Sequence, residues 1–376
     1  MNTLATFRRN TLRLSLAAAV AGISAGSAWA GVGAMQEELN LLHERINVLE
    51  ASQTESIATN GEDGSWSDSV SVGGYVAVDT YYADYGDTNE SDIIISDAEM
   101  WVEAEIAENV SAMVLFYYED GYDSPDVDEA TITFSSGGGM PLSFTAGRTY
   151  LPFGSYETNM ISDPLSLEIG EIREDILMVN FEADGFYGGA YIFNGDIEED
   201  GSDNLIENYG FNMGYLWEQD KASIDIGLDW INSIEDTDGI EWVLNDYGIS
   251  SVTERTQGIA VHANGQFGPI SVFTEYVGAL DDLKNLTDNT GTNTKAKAWN
   301  IEAGYNFVLG GMDSTVALAY QETSEAVDLY LPEERIVGAV SMEVMDSTTL
   351  AFEYKKDKDY YGENTHTGTA QVAVEF

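Results

Sequence analysis

No cysteine occurs in the 376 residues, which excludes disulfide and thiol chemistry. Basic residues are scarce: 15 Lys and Arg stand against 66 Asp and Glu, a net charge of −51. Such a charge repels phosphate backbones, so nucleic acid is excluded as a partner. Only three histidines occur, His43, His262 and His366, and no two are close in sequence. A histidine metal site or acid–base pair therefore has little support, and neither a metal nor a cofactor is expected. No nucleophile motif of the G-x-S-x-G kind supports an enzyme in residues 31–376. No apolar run reaches the ~18 residues of a membrane-crossing helix. Proline is rare at 6, whereas Gly (37), Tyr (21), Phe (14) and Trp (7) are abundant. That aromatic content is too high for a disordered acidic chain.

The first 30 residues read as a secretory signal. Arg8, Arg9 and Arg13 precede an apolar run from Leu14 to Ile23, and Ala28-Trp-Ala30 is a small-x-small cleavage site. Removing them leaves 12 basic and 66 acidic residues, a net charge of 12 − 66 = −54. Residues 31–52 carry Met35, Leu39, Leu42, Ile46 and Leu49 at heptad spacing, flanked by Glu37, Glu38, Glu44 and Arg45. So short a helix is marginal alone. It is expected either to self-associate, with a homotrimer as the expected state, or to lie against the rest of the protein. Residues 53–69 are polar and read as a linker.

From residue 70 to 376 the pattern becomes period two. Ile224, Ile226, Leu228 and Trp230 alternate with Ser223, Asp225, Gly227 and Asp229. Trp299, Ile301, Ala303, Tyr305 and Phe307 alternate with Asn300, Glu302, Gly304 and Asn306. About sixteen such strands can be counted, with aromatics recurring at the ends of the apolar faces. Short turns, such as Asp184-Gly185 and Gly268-Pro269, alternate with long connections at 151–174, 194–208, 231–255, 279–294 and 357–367. The chain ends on Ala370, Val372, Val374 and Phe376 on one face, a terminal ring that suits an interfacial girdle. A soluble sandwich would show the same alternation strand by strand. Taken with the signal and the loop asymmetry, the pattern predicts an all-β protein. Its expected form is a transmembrane antiparallel β-barrel of about 16 strands, with a short coiled-coil helix projecting into the periplasm. The expected surroundings are outer-membrane lipid and lipopolysaccharide.

The most distinctive stretch is Gly147-Arg-Thr-Tyr-Leu-Pro-Phe-Gly154 and the segment after it, as far as Arg173-Glu174. Pro152 and Gly154 stop a strand. Met160, Ile161, Leu165, Leu167 and Ile169 then give the connection an apolar content that a loop facing water would not need. It is expected to fold into the barrel and narrow the pore, or else to pack over the outer rim. Arg148 falls on the lipid face by strict alternation, so it should sit near the membrane interface or be turned inward by a bulge. This stretch, with the order of signal, short coiled coil and barrel, resembles the LbtU-type siderophore porins. These belong to the wider group of porins with a G-x-x-x-x-P-F-G strand end.

The resemblance implies siderophore uptake. The charge pattern points elsewhere. Asp79, Asp97, Glu99, Glu103, Glu105, Glu129, Asp225, Asp229 and Glu302 fall on the wet faces, and rings of acid favour cations. The expectation is an aqueous channel for small polar solutes. A siderophore porin, a general cation-preferring porin and an adhesive or structural barrel all stay open. The pore and constriction candidates are Glu99, Glu103, Arg148, Tyr150, Asp163, Glu168, Glu171, Arg173, Asp225 and Asp229. One further loop, residues 196–207, has Asp196, Glu198, Asp200, Gly201 and Glu207 near the spacing of a calcium loop. Chance matches are common in so acidic a chain, and no metal residue is assigned.

Overall fold

The computed structural model describes residues 69–376, apart from 122–123, 138–140, 203–204 and 288–292. The expected signal, helix and nearly all of the linker lie outside the described residues.

Sixteen strands form one closed antiparallel barrel. They are β1 (Val70–Asp84), β2 (Asn89–Ala107), β3 (Val110–Tyr118), β4 (Asp126–Ser135), β5 (Leu142–Tyr150), β6 (Arg173–Ala183), β7 (Phe186–Phe193) and β8 (Asn208–Gln219). Next come β9 (Ala222–Ile231), β10 (Gly258–Phe267), β11 (Ile270–Ala279), β12 (Lys297–Leu309), β13 (Met312–Ser324), β14 (Glu334–Met345), β15 (Thr348–Lys358) and β16 (Asn364–Glu375). Each strand pairs with its sequence neighbours, and β1 closes on β16, with Tyr75 opposite Glu375 and Asp84 opposite His366. Phe376 finishes the seam by exchanging two main-chain hydrogen bonds with Gly74, 2.8 and 3.0 Å. No strand edge is left within the barrel, which a membrane requires.

The period-two pattern decides which face is which. Ile226, Leu228, Val261, Ile301, Val316, Leu318, Phe352 and Val372 point outward and are exposed. Their strand neighbours Asp229, Glu302, Gln321 and Glu353 point inward and are buried. Among the described residues no second sheet covers the apolar face, so a soluble sandwich is ruled out and the exterior is the apolar band that lipid demands. The turns Asp184-Gly185 and Gly268-Pro269 join strands directly at one end. The long connections cluster at the other, four of the five within two residues of the expected bounds. The connection between β15 and β16 covers only residues 359–363, because polar alternation carries both strands beyond the apolar band.

Two short helices organise the long connections. A single-turn helix α1 (Leu167–Gly170) lies within the β5–β6 connection, and α2 (Asp238–Asp246) lies between β9 and β10. Ile169, Ile234, Ile240, Val243, Leu244, Leu283 and Leu329 belong to one buried apolar cluster, which ties these connections into an ordered cap.

Candidate functional site

The β5–β6 connection is the centre of the molecule. Gly154 (φ 95°) and Tyr156 (φ 53°) are left-handed and turn the chain off the end of β5. A side chain at Gly154 would collide with the Tyr156 ring, 2.3 Å away, so glycine is required there. The segment then runs across the inner wall, and inward carboxylates take its main-chain N–H groups. Gly154 donates to Asp229 of β9 (2.9 Å), and Ser155 donates to Glu275 of β11 (2.5 Å). Asn159 donates to Glu302 of β12 from its main chain and from Nδ2 (both 2.7 Å), and Thr158 Oγ1 donates to the same carboxylate (2.6 Å). Ile161 and Ser162 donate to Glu353 of β15 (2.6 and 3.0 Å), and Leu165 donates to Gln321 of β13 (2.9 Å). In return, Arg335 Nη1 of β14 donates to the Asp163 carbonyl, 3.2 Å. In a ring of sixteen strands, β13 and β14 stand opposite β5 and β6. The segment therefore crosses the lumen and returns.

Apolar contacts fix it as well. Met160 is buried against the small inward residues Ala317, Ala319, Val337 and Ala339. Leu165 and Ile169 are buried in the cluster that runs up into the cap, and α1 packs on α2. Contact with the inner wall and with the cap together accounts for the apolar content of the segment.

The candidate residues separate into distinct places. Arg148 stays on the outer face, in regular register opposite Asp175, with which it forms an ion pair of 3.0 Å. No bulge turns it inward, so it is not brought to the lumen. Tyr150 and Arg173 both donate to Asp128 at the rim, Tyr150 from 3.1 Å. Asp128 is reached through a register shift in the β3–β4 pairing. Glu171 lies beside Asp238, and burial, followed by Asp238 and Asp163, holds its carboxyl well above the usual range. Glu168 is raised by burial and faces Arg335, Lys355 and Asp357. Asp229 anchors the crossing segment, whereas Asp225 accepts from Tyr187 Oη (2.8 Å) and lies 3.5 Å from His262 Nε2. His262 is buried over Gly227, where a side chain would stand 2.1 Å from the ring. Glu99 is inward and buried on β2, and Glu103 stands at the same parity nearer the short-turn end.

Sequence reasoning passed over Glu275, Gln321, Arg335 and Glu353, the residues that hold the far side of the segment. Alternation marks them as inward, but nothing local tells an anchor from a solvated acid. A second signal was overlooked. Residues 46–147, which include β1 to β4, contain no Lys, Arg or His. The wall that the segment leaves uncovered therefore presents Asp79, Asp97, Glu99 and Glu129, while Arg335 and Lys355 stand beyond the β16–β1 seam on β14 and β15.

At the mouth, the described part of residues 196–207 is built into the cap. Glu198 and Glu199 pair in parallel with Ser251 and Val252, and Glu207 is bridged by Arg255 at 3.1 Å. Among the described residues no group of three acids or histidines is arranged to hold a metal ion. Burial pushes Asp236 and Asp238 up to about 6 and Glu241 up to about 7, with Asp196 and Asp238 adding to the shift of Glu241.

A closed barrel with an apolar exterior, a polar lumen and one connection threaded through it has the architecture of a porin-type channel. Comparison with solved structures agrees. The outer membrane channel DcaP of Acinetobacter baumannii superposes with a TM-score of 0.57 at 13% identity, over 82% of this chain and 97% of that one. An anion-selective porin from Comamonas acidovorans gives 0.57 at 12% identity, over 82% and 99%. These likenesses establish the fold. No family model matches the sequence. Among curated proteins, a UPF0422 protein of Legionella pneumophila (strain Lens) is 26% identical over 311 residues. The alignment takes in 75% of this chain but 57% of that protein, so the chain spans little more than half the length of this relative.

Proposed function

We propose that the protein is an outer-membrane diffusion channel for small polar solutes. In this reading the segment from Leu151 to Glu174 narrows the lumen, and the pore favours cations. The observation that carries it is the crossing segment itself, pinned by wall carboxylates on the side opposite its origin. A connection so held divides the lumen. It also consumes the acids on β9, β11, β12 and β15, leaving the charge of β1 to β4 to face the remaining opening. Rings of acid attract cations and repel anions. The fold does not set this sign, since an anion-selective porin shares it.

Siderophore passage is the second reading. It rests on the Gly147–Gly154 strand end and its resemblance to LbtU-type porins, and anionic ferric siderophores would meet an unfavourable acid wall. Association through the helix at residues 31–52 belongs to the same proposal, with a homotrimer as the expected state.

Reversal potential across a salt gradient in a planar bilayer tests the main reading. A cation-selective current is expected. An anion-selective current would overturn the selectivity, and a folded barrel without current would overturn the channel.

A further inference from the structure

The cap carries a feature that a passive pore does not use. Trp242 on α2, Tyr247 at its C-terminal cap and Tyr330 after the 3-10 turn Val327–Leu329 are 49, 50 and 59% exposed. Tyr330 is far from the other two in sequence but adjacent in space. The Trp242 and Tyr330 rings meet edge to face with centroids 6.1 Å apart, and the Tyr247 side chain lies beside that of Tyr330. Because α2 packs on α1 of the crossing segment, the patch lies over the mouth and not on the lipid band, where most of the barrel's other exposed rings stand.

Tyr330 is held at φ 59°, which is unusual for an aromatic residue and costs the fold energy. Turn chemistry alone would favour Gly or Asn at such a position. Half-exposed rings gathered at a mouth are also disfavoured in water unless something covers them.

The charge around the rings decides what could cover them. Asp246 and Asp328 lie close enough to act on the Tyr247 hydroxyl, which is pushed up to about 12, chiefly by the neighbouring Tyr330 side chain. Asp328 is held by Thr294 Oγ1, 2.9 Å away. Residues 236–254 and 325–334, which supply the patch, contain no Lys, Arg or His. Aromatic faces with adjacent carboxylates attract an alkylated ammonium, which prefers a ring face to water more than a hard metal ion does.

We propose that Trp242, Tyr247 and Tyr330, with Asp246 and Asp328, form a capture site for an organic cation of the quaternary-ammonium class. The site requires only the cap and is independent of the channel reading. An acidic mouth would raise the local concentration of such a cation before it met the rings.

Isothermal titration of the intact, detergent-solubilised barrel with choline tests this, alongside the neutral isostere 3,3-dimethyl-1-butanol. No current is required, so failure of the channel reading leaves the measurement unaffected. Choline should bind with a Kd of about 1–10 mM, and the isostere at least about tenfold more weakly. Trp242→Ala should weaken choline binding about fivefold, and the Asp246→Asn, Asp328→Asn pair should do so to a similar degree. Both variants should keep the heat-modifiable mobility of a folded barrel. Tyr330→Gly, which relieves the backbone, should raise thermal stability while lowering affinity. Equal binding of choline and isostere would overturn the proposal. So would unchanged affinity in the folded variants, or no heat of binding at about 50 mM choline.

Discussion

Replacing Glu302 by Ala should free the crossing segment without unfolding the barrel. Glu302 is 1% exposed and accepts three hydrogen bonds from the segment, from Thr158 Oγ1 and from the main chain and Nδ2 of Asn159. A hydrogen bond to a charged group contributes about 1.5–3 kcal/mol. Water in the lumen would solvate the released donors, so the lower figure applies, and three bonds give about 4.5 kcal/mol. That is roughly a thousandfold change in the ratio of pinned to released segment. A segment pinned almost all the time would then open often enough to be seen in single-channel records. The Glu302→Ala current should flicker between the native level and a larger one. Adding Glu353→Ala removes the acceptor of Ile161 and Ser162 and should make the larger level dominant. Glu302→Gln keeps an acceptor and should lie between. Wild-type conductance and noise in the double variant, with the barrel still heat-modifiable, would refute the idea that these carboxylates hold the segment.

Other consequences can be checked separately. Deleting residues 158–166 should raise conductance, and an unchanged value in a folded barrel would place the narrowest point elsewhere. Arg148→Gln should leave conductance and selectivity unaltered and cost at most ~1 kcal/mol, since its pairing with Asp175 is exposed; a shifted reversal potential would mean that Arg148 reaches the lumen. The carboxyls of Asp236, Asp238 and Glu241 are raised in the folded cap, so the folded state binds more protons than the unfolded state between about pH 4 and 7. Cap stability should therefore fall as pH rises through that window, seen as faster hydrogen exchange over residues 236–246 after correction for intrinsic rate. Increasing protection over the same range would contradict the assignment. Finally, Leu42→Lys with Ile46→Lys should reduce the size of the solubilised oligomer if the N-terminal heptads associate; an unchanged size would remove that role.

The barrel was largely legible because each strand carries its own evidence. Ile226 and Leu228 against Asp225 and Asp229 state an apolar face and a wet face within a few residues, and turns such as Gly268-Pro269 mark the ends. Which wet face was the lumen followed from closure. The purpose of the wet acids did not. Glu302 meets Asn159 across 143 residues and Glu353 meets Ile161 across 192, and no local pattern carries that information. Arg148 shows the converse: alternation placed it outward correctly, and its resemblance-bearing neighbourhood then made it a pore candidate. The aromatic patch was invisible for the same reason as the anchors, since Trp242 and Tyr330 meet only when the cap is folded.

The wall grips the crossing segment mainly by its backbone. Gly154, Ser155, Tyr156, Asn159, Ile161, Ser162 and Leu165 all present main-chain N–H groups to wall side chains. Such a grip is blind to most side chains. Side chains that take no part in the grip can change in size or charge without unmooring the segment, whereas proline, with no N–H, cannot stand at any gripped position. Selectivity and attachment are thereby written in different parts of the same residues. A lineage facing a new solute could redraw the opening one side chain at a time while the wall acids stayed fixed.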